Sequence, residues 1–122
     1  MNPDSITETI IGCSYTVASK LGCGFLEKVY ENALYHELHN NGLCVQQQCG
    51  IQVKYDEIIV GEYVADLLVE GAILVELKAV KAFDDVHMAQ ALNYLKATGL
   101  KVCLLINFGS PRVQIKRIVN NY

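Results

Sequence analysis

The stretch Tyr63-Val-Ala-Asp-Leu-Leu-Val-Glu-Gly-Ala-Ile-Leu-Val-Glu-Leu-Lys78 decides the fold, because it predicts a β-hairpin. Two apolar runs rich in Val, Leu and Ile meet at a Glu-Gly pair, a pattern typical of two strands joined by a tight turn. Three charged residues interrupt these runs: Asp66, Glu76 and Lys78. Glu76 and Lys78 are two positions apart and therefore project from the same face of a strand.

The register of the turn decides whether Asp66 lies on the same face as Glu76 and Lys78. A two-residue loop at 70–71 would put Asp66 on the opposite face from Glu76. A three-residue loop at 70–72 places Asp66 directly opposite Glu76. The longer loop needs a residue at positive φ, and Gly71 can supply it. We therefore predict the three-residue loop, with two carboxylates and one ammonium on a single face.

Two buried carboxylates side by side cost on the order of several kcal/mol unless a cation or a proton compensates them. A divalent metal is the usual compensator, and hard oxygen ligands suit Mg²⁺ or Mn²⁺. The alternative is that Lys78 simply neutralises Glu76 on a solvated strand face. The hairpin alone leaves both interpretations open.

Length and composition predict one globular domain spanning residues 1–122, with 52% apolar and 19% charged residues. No apolar run approaches the ~20 residues that cross a bilayer, so no membrane association is expected. The N-terminus lacks the basic and apolar segments of a signal peptide. Five scattered cysteines without a Cys-x-x-Cys pair fit reduced thiols, so a cytoplasmic location is predicted: Cys13, Cys23, Cys44, Cys49 and Cys103.

The formal net charge of −3 counts against a protein that coats itself with nucleic-acid backbone, since non-specific affinity depends on Lys and Arg. It does not exclude a nucleic-acid enzyme in which bound metal ions supply the positive field.

The chain is predicted to run α-α-β-β-β-α-β-β. An antiparallel meander followed by a helical crossover to a parallel strand makes a mixed sheet flanked by helices, an α/β fold. Asp4 or Ser5 is the predicted cap of the first helix. The predicted helices are 4–19, 26–40 and 84–97, and the predicted strands are 44–55, 58–69, 72–79, 101–107 and 112–119.

The second predicted helix carries Glu27, Tyr30, Glu31 and Leu34 on one face, because they follow the i, i+3, i+4, i+7 spacing. Taken alone, Glu27 in the first turn is a routine partner of the helix dipole.

A helix carrying Glu, a hairpin carrying Asp and Glu-x-Lys, and then a helix and a strand together resemble the restriction-endonuclease-like PD-(D/E)XK nuclease core. In this resemblance Asp66 matches the aspartate of the motif and 76–78, Glu-Leu-Lys, matches its (D/E)XK element. Ala65 stands where the superfamily name has proline. Gln90 and Tyr94 resemble the Gln-x-x-x-Tyr motif of the RecB-like branch.

A closer resemblance is to the small GxxExxY proteins. The segment 24–30, Gly-Phe-Leu-Glu-Lys-Val-Tyr, matches their Gly-x-x-Glu-x-x-Tyr signature. The match continues through 94–99 and 105–109, and covers nearly the whole chain from about residue 5.

The resemblance implies a metal-dependent nuclease, acting on DNA rather than RNA, with Mg²⁺ as the cofactor and Mn²⁺ as a substitute. It implies that Asp66, Glu76 and the Leu77 carbonyl hold the metal, with Glu27 as a further ligand directly or through a metal-bound water. Three further residues receive catalytic roles. Lys78 orients the attacking water or stabilises negative charge, Gln90 holds the phosphate or the nucleophile, and Tyr94 braces Gln90 or contacts the backbone.

Each assignment has a simpler alternative. Lys78 can be only an ion-pair partner, Gln90 can cap buried backbone groups, and Tyr94 can be a core residue with a hydrogen-bonded hydroxyl. The whole protein can be a non-catalytic member of the fold that binds nucleic acid or a protein partner. A homodimer is also expected, because so short a nuclease has little surface for specificity.

Overall fold

The computed structural model describes residues 2–120, in which one five-stranded sheet has the order β1-β2-β3-β4-β5. Only β3 and β4 are parallel, and the other neighbours are antiparallel. The predicted α-α-β-β-β-α-β-β order and the parallel crossover are confirmed. The elements are α1 (Pro3–Leu21), α2 (Glu27–Asn40), β1 (Val45–Tyr55), β2 (Ile58–Val69), β3 (Ile73–Lys78), α3 (Asp85–Thr98), β4 (Val102–Asn107) and β5 (Gln114–Val119).

The cap of α1 differs from the prediction. Asn2 is the N-cap, and its side chain accepts a hydrogen bond from the backbone N–H of Ser5 at 2.9 Å. Asp4 and Ser5 lie inside the helix, so the predicted cap is wrong. Pro3 explains the difference: proline suits the first helical position because its missing N–H would have no partner there, and the preceding residue becomes the cap.

None of the helices between residues 2 and 120 combines the length and hydropathy that a bilayer crossing needs. The longest, α1, has 19 residues and carries charged side chains at both ends.

The sheet lies between two helical layers. On one side α1 and α2 cover a core that includes Ile10, Leu34, Leu67 and Val75. On the other side α3 covers a second core that includes Leu74, Leu95 and Leu105. Residues of β3 therefore alternate between the two cores, as a strand buried on both faces requires.

The hairpin has the predicted three-residue loop. Val69 pairs with Ile73, and residues 70–72 form the turn. Gly71 has φ 64, as predicted, and Glu70 also has a positive φ, of 54. The Glu70 carboxylate and backbone anchor this turn to Cys44 at the start of the meander, through hydrogen bonds of 2.6 and 2.8 Å.

Strands β1 and β2 extend well beyond their neighbour β3. Pairing of β2 with β3 covers only Leu67–Val69, whereas β1 and β2 pair from Val45–Val69 to Tyr55–Ile58. The distal part of this pair, residues 50–64, is a two-stranded ribbon that overhangs α3.

Candidate active site

The strands β2 and β3 separate at Asp66 and Glu76, and the two carboxylates fill the gap. The last strand pair before the separation is Leu67 with Val75. One step further, the backbone N–H of Asp66 donates to Oε1 of Glu76 at 3.1 Å, and the backbone N–H of Leu77 donates to Oδ2 of Asp66 at 2.7 Å. The side chains thus satisfy backbone donors that would otherwise lose their partners.

A break in strand alternation accompanies this separation. Ala65 and Leu67 are two positions apart, yet Ala65 packs in the α3 core and Leu67 in the core under α1 and α2. On the neighbouring strand β1, Gln48 has a positive φ of 55°. It lies opposite the break and has no strand partner in the register, although the residues on both sides of it are paired with β2. Asp66 therefore lies where β2 turns over, which brings its carboxylate into the gap between strands.

The electrostatics of the pair favour neutralisation. Burial, and next the charge of Asp66, raise the pKa of Glu76 from 4.5 to about 8. Burial also raises the pKa of Asp66, with further upward contributions from Glu31 and Glu27, against lowering by the Leu77 N–H and by Lys78. Glu76 is only 5% exposed. A proton or a cation stabilises this arrangement by offsetting the negative charge of the two carboxylates.

Lys78, at the end of β3, is half-buried and lies within electrostatic range of both carboxylates, since it lowers the pKa of each. Among residues 2–120 it has no carboxylate within ion-pair distance. The interpretation in which Lys78 is a direct salt-bridge partner of Glu76 is therefore not supported by the geometry.

Helix α2 brings two more carboxylates towards the pair. Glu27 is exposed in its first turn and lines a small cleft with Gly109. Glu31, one turn later, is 4% exposed and is held by Lys28 at 3.0 Å and by amide groups of two β1 glutamines at 2.8 Å. Both glutamates raise the pKa of Asp66.

Glu31 was not assigned to the site from the sequence. The available signal was its i, i+4 spacing from Glu27, which puts both side chains on one helix face. Its partners on β1 are distant in the sequence and give no local pattern.

Tyr30 fixes the start of α2, because its hydroxyl donates to the Gly22 carbonyl at 2.6 Å and accepts from the Phe25 N–H at 3.2 Å. Its buried ring stacks on Phe108 at 4.6 Å. Tyr30 therefore positions the turn that carries Glu27.

Helix α3 contributes Gln90 and Tyr94, whose side chains contact each other: the Gln90 amide donates to the Tyr94 hydroxyl at 3.0 Å. Burial raises the pKa of the Tyr94 phenol, followed by the charge of Glu76, then by Tyr63 and Asp66. Tyr94 therefore lies within electrostatic range of the carboxylate pair, and Gln90 is hydrogen-bonded to its hydroxyl.

The donor set fits a divalent cation. Asp66 and Glu76 offer hard oxygen atoms, and burial, which raises the pKa of each, disfavours their anionic forms, a cost that a bound cation would offset. Leu77 is buried and its N–H is engaged with Asp66; a metal-binding role for its carbonyl stays a prediction. Across residues 2–120 no group of three or more His, Cys, Asp or Glu forms a complete ligand cluster, so water or substrate oxygens would have to complete the coordination.

A family model described as the PD-(D/E)XK nuclease superfamily matches residues 4–118. The chain belongs to the PD-(D/E)XK nuclease superfamily. Asp66 and the Glu-Leu-Lys at 76–78 thus supply the residues of the superfamily name, with Ala65 in place of proline. Ala65 is fully buried against the α3 side of the sheet.

Solved structures share the PD-(D/E)XK nuclease fold of this chain. The crystal structure of SSO0001 superposes with a TM-score of 0.61 at 14% identity, covering 79% of this chain and 51% of that one. An alkaline exonuclease (LHK-Exo) from Laribacter hongkongensis superposes with a TM-score of 0.58 at 16% identity, covering 77% of this chain and 55% of that one. The chain spans about half the length of these two proteins. No curated protein matches it at a significant level.

Proposed function

We propose that the protein is a metal-dependent nuclease that hydrolyses phosphodiester bonds in DNA, with Mg²⁺ as the cofactor and Mn²⁺ as a substitute. The observation that carries the proposal is the pairing of buried Glu76 with partly buried Asp66, with raised pKa values and Lys78 close by, in a chain of the PD-(D/E)XK nuclease superfamily. A binding module that does no chemistry has no need of a buried carboxylate beside a second, partly buried one that repels it.

The two carboxylates would hold the cation, and Glu27 would approach from α2 directly or through a water. The cation supplies two things when bound: it lowers the pKa of a coordinated water and stabilises charge on the phosphate. Leu77 would add its carbonyl oxygen as a ligand.

Lys78 is suited to stabilise negative charge that develops on the scissile phosphate. It is half-buried and not tied up in an ion pair with any of residues 2–120, so its ammonium is free to contact substrate. Gln90 would hold the phosphate or the attacking water through its amide, and Tyr94 would fix Gln90 by the hydrogen bond between them.

The experiment is cleavage of labelled single-stranded and double-stranded DNA in Mg²⁺, in Mn²⁺ and in EDTA. We expect cleavage by the wild type only with metal, none by Glu76→Gln, and wild-type activity in Glu8→Gln, a matched change at an exposed position of α1. Cleavage in EDTA, or an active Glu76→Gln, would contradict the proposal.

The proposal includes a cytoplasmic location and a homodimer. All five cysteines are free thiols, which suits the reducing cytoplasm. The homodimer stays a prediction, to be tested by sedimentation of the wild type at several concentrations.

A further inference from the structure

An open groove of about 1630 Å³ lies between the ribbon of residues 50–64 and helix α3. It adjoins the candidate active site, because two residues of that site, Gln90 and Tyr94, line it. The ribbon side carries Tyr63, whose ring centroid lies 5.5 Å from that of Tyr94.

The ribbon exposes several large apolar side chains. Val60, Tyr63 and Val64 are each at least half exposed, and Val86 at the start of α3 faces the same groove. Tyr63 faces α3, because its ring contacts that of Tyr94, whereas Val64, the next residue of the strand, projects from the opposite face. Tyr63 is the most informative of these residues, since it is 50% exposed while its neighbour Tyr94 is buried.

The charge of the groove differs in sign from that of the whole chain. Its charged lining residues are Lys54, Lys96 and Glu62, two cations and one anion, whereas the chain carries a net charge of −3. Side-chain amides add hydrogen-bonding groups able to meet base edges: Gln52, Gln90 and Asn93.

From this juxtaposition we propose that the groove binds a single nucleic-acid strand and leads it to the carboxylate pair. The inference rests on the proposed nuclease function and names its substrate as single-stranded. Aromatic stacking needs a base face that a duplex keeps covered, and Tyr63 offers an exposed ring for it. A duplex presents its phosphates outward, and two lysines are few for holding it.

The test is a binding measurement that does not depend on cleavage. Fluorescence anisotropy in EDTA is recorded with labelled oligo-dT, oligo-U of equal length, and the corresponding dA·dT duplex. We expect a single strand to bind more tightly than the duplex. Tyr63→Ala should weaken single-strand binding by at least about fivefold, the effect of losing one stacked base.

Two variants separate stacking from loss of structure. Tyr63→Phe keeps the ring and should bind like the wild type. Tyr15→Ala removes a tyrosine of similar exposure, 53%, from α1, and should change nothing.

Lys54→Ala should reduce the slope of log affinity against log salt by about 0.7, the value for one phosphate contact on a single strand, and Lys20→Ala on α1 should leave the slope unchanged.

The two single-stranded probes distinguish the source of the strand. Tighter binding of oligo-dT assigns DNA. Tighter binding of oligo-U keeps the single-strand inference and overturns the DNA part of the proposed function.

Several outcomes overturn the inference: duplex binding as tight as single-strand binding, no binding of any probe, or an unchanged affinity in Tyr63→Ala. A concentration-dependent dimer that Tyr63→Ala dissociates would assign the groove to a second copy instead. Metal-dependent cleavage of duplex DNA that Tyr63→Ala leaves unaffected would refute the inference while the proposed function stands. Absence of cleavage with every substrate would refute the proposed function, and the anisotropy result would still be read separately.

Discussion

The backbone N–H of Asp66 donates a hydrogen bond to the carboxylate of Glu76 at 3.1 Å. The two residues are therefore coupled twice: through this hydrogen bond, which favours an acceptor at position 76, and through charge repulsion, which disfavours an anion there. An amide in place of the Glu76 carboxylate keeps the first coupling and removes the second.

Glu76→Gln and Glu76→Ala should consequently differ in stability. In EDTA above pH 8, where Glu76 is ionised, Gln should leave the free energy of unfolding equal to that of the wild type or higher. Ala leaves the Asp66 N–H unpaired and removes packed atoms, which costs about 1–3 kcal/mol for the unsatisfied donor alone. Urea unfolding of the three proteins measures this, and a Gln variant as unstable as the Ala variant would contradict it.

The stability of the metal-free protein should fall as pH rises from about 4.5 to 8. The folded-state pKa of Glu76 is raised, so between these values the folded protein holds a proton that the unfolded chain has lost. The free energy of unfolding then decreases with pH, by on the order of 1 kcal/mol per pH unit for this group. The stabilisation that Glu76 contributes in its protonated form is fully present below about pH 4.5 and is lost as the pH rises through 8.

The difference between wild type and Glu76→Gln isolates this group from other titrations. Urea unfolding in EDTA at intervals from pH 5 to pH 9 should show the wild-type value dropping relative to the variant. Parallel pH profiles for the two proteins would show that Glu76 has no raised pKa.

Lys78→Met should reduce cleavage by at least about a hundredfold, the typical loss when one group that stabilises transition-state charge is removed. Metal-induced stabilisation should persist, because the carboxylate pair remains. Lys81→Met, at an exposed position in the loop after β3, is the matched control and should cleave normally. Single-turnover cleavage beside a melting curve in Mn²⁺ separates these effects; loss of the metal response in Lys78→Met would assign it to metal binding instead.

The hairpin register was predictable because local signals agree. Two strands of fixed alternation and one glycine able to take positive φ left a single loop length that brings Asp66 opposite Glu76. The Asp and Glu-x-Lys of the superfamily motif were readable for the same reason, since they lie within the hairpin. The parallel crossover was predictable because a strand–helix–strand succession favours a parallel connection.

Features that depend on distant partners were not predictable. Glu70 takes a positive φ in the turn and is anchored by Cys44, 26 positions away. The turnover of β2 at Asp66 is matched by Gln48 on the neighbouring strand, and the burial of Glu31 depends on amides from β1. None of these leaves a local pattern, since a strand with regular alternation is the default expectation.

The wrong prediction of the α1 cap has a different cause. Its signal, an asparagine directly before a proline, is present in the sequence at 2–3. Asp4 and Ser5 are equally good capping types, and only the preference of proline for the first helical position separates the candidates.

The most direct test of the account is the melting temperature of wild type and Glu76→Gln near neutral pH, each in EDTA and in millimolar Mn²⁺. A cation that binds the folded protein alone stabilises it by mass action, so the wild-type melting temperature should rise with Mn²⁺ concentration. Glu76→Gln should melt at or above the wild-type temperature in EDTA and show no response to Mn²⁺. A wild-type melting temperature that Mn²⁺ leaves unmoved, together with a destabilised Glu76→Gln, would contradict the metal site and the nuclease proposal built on it.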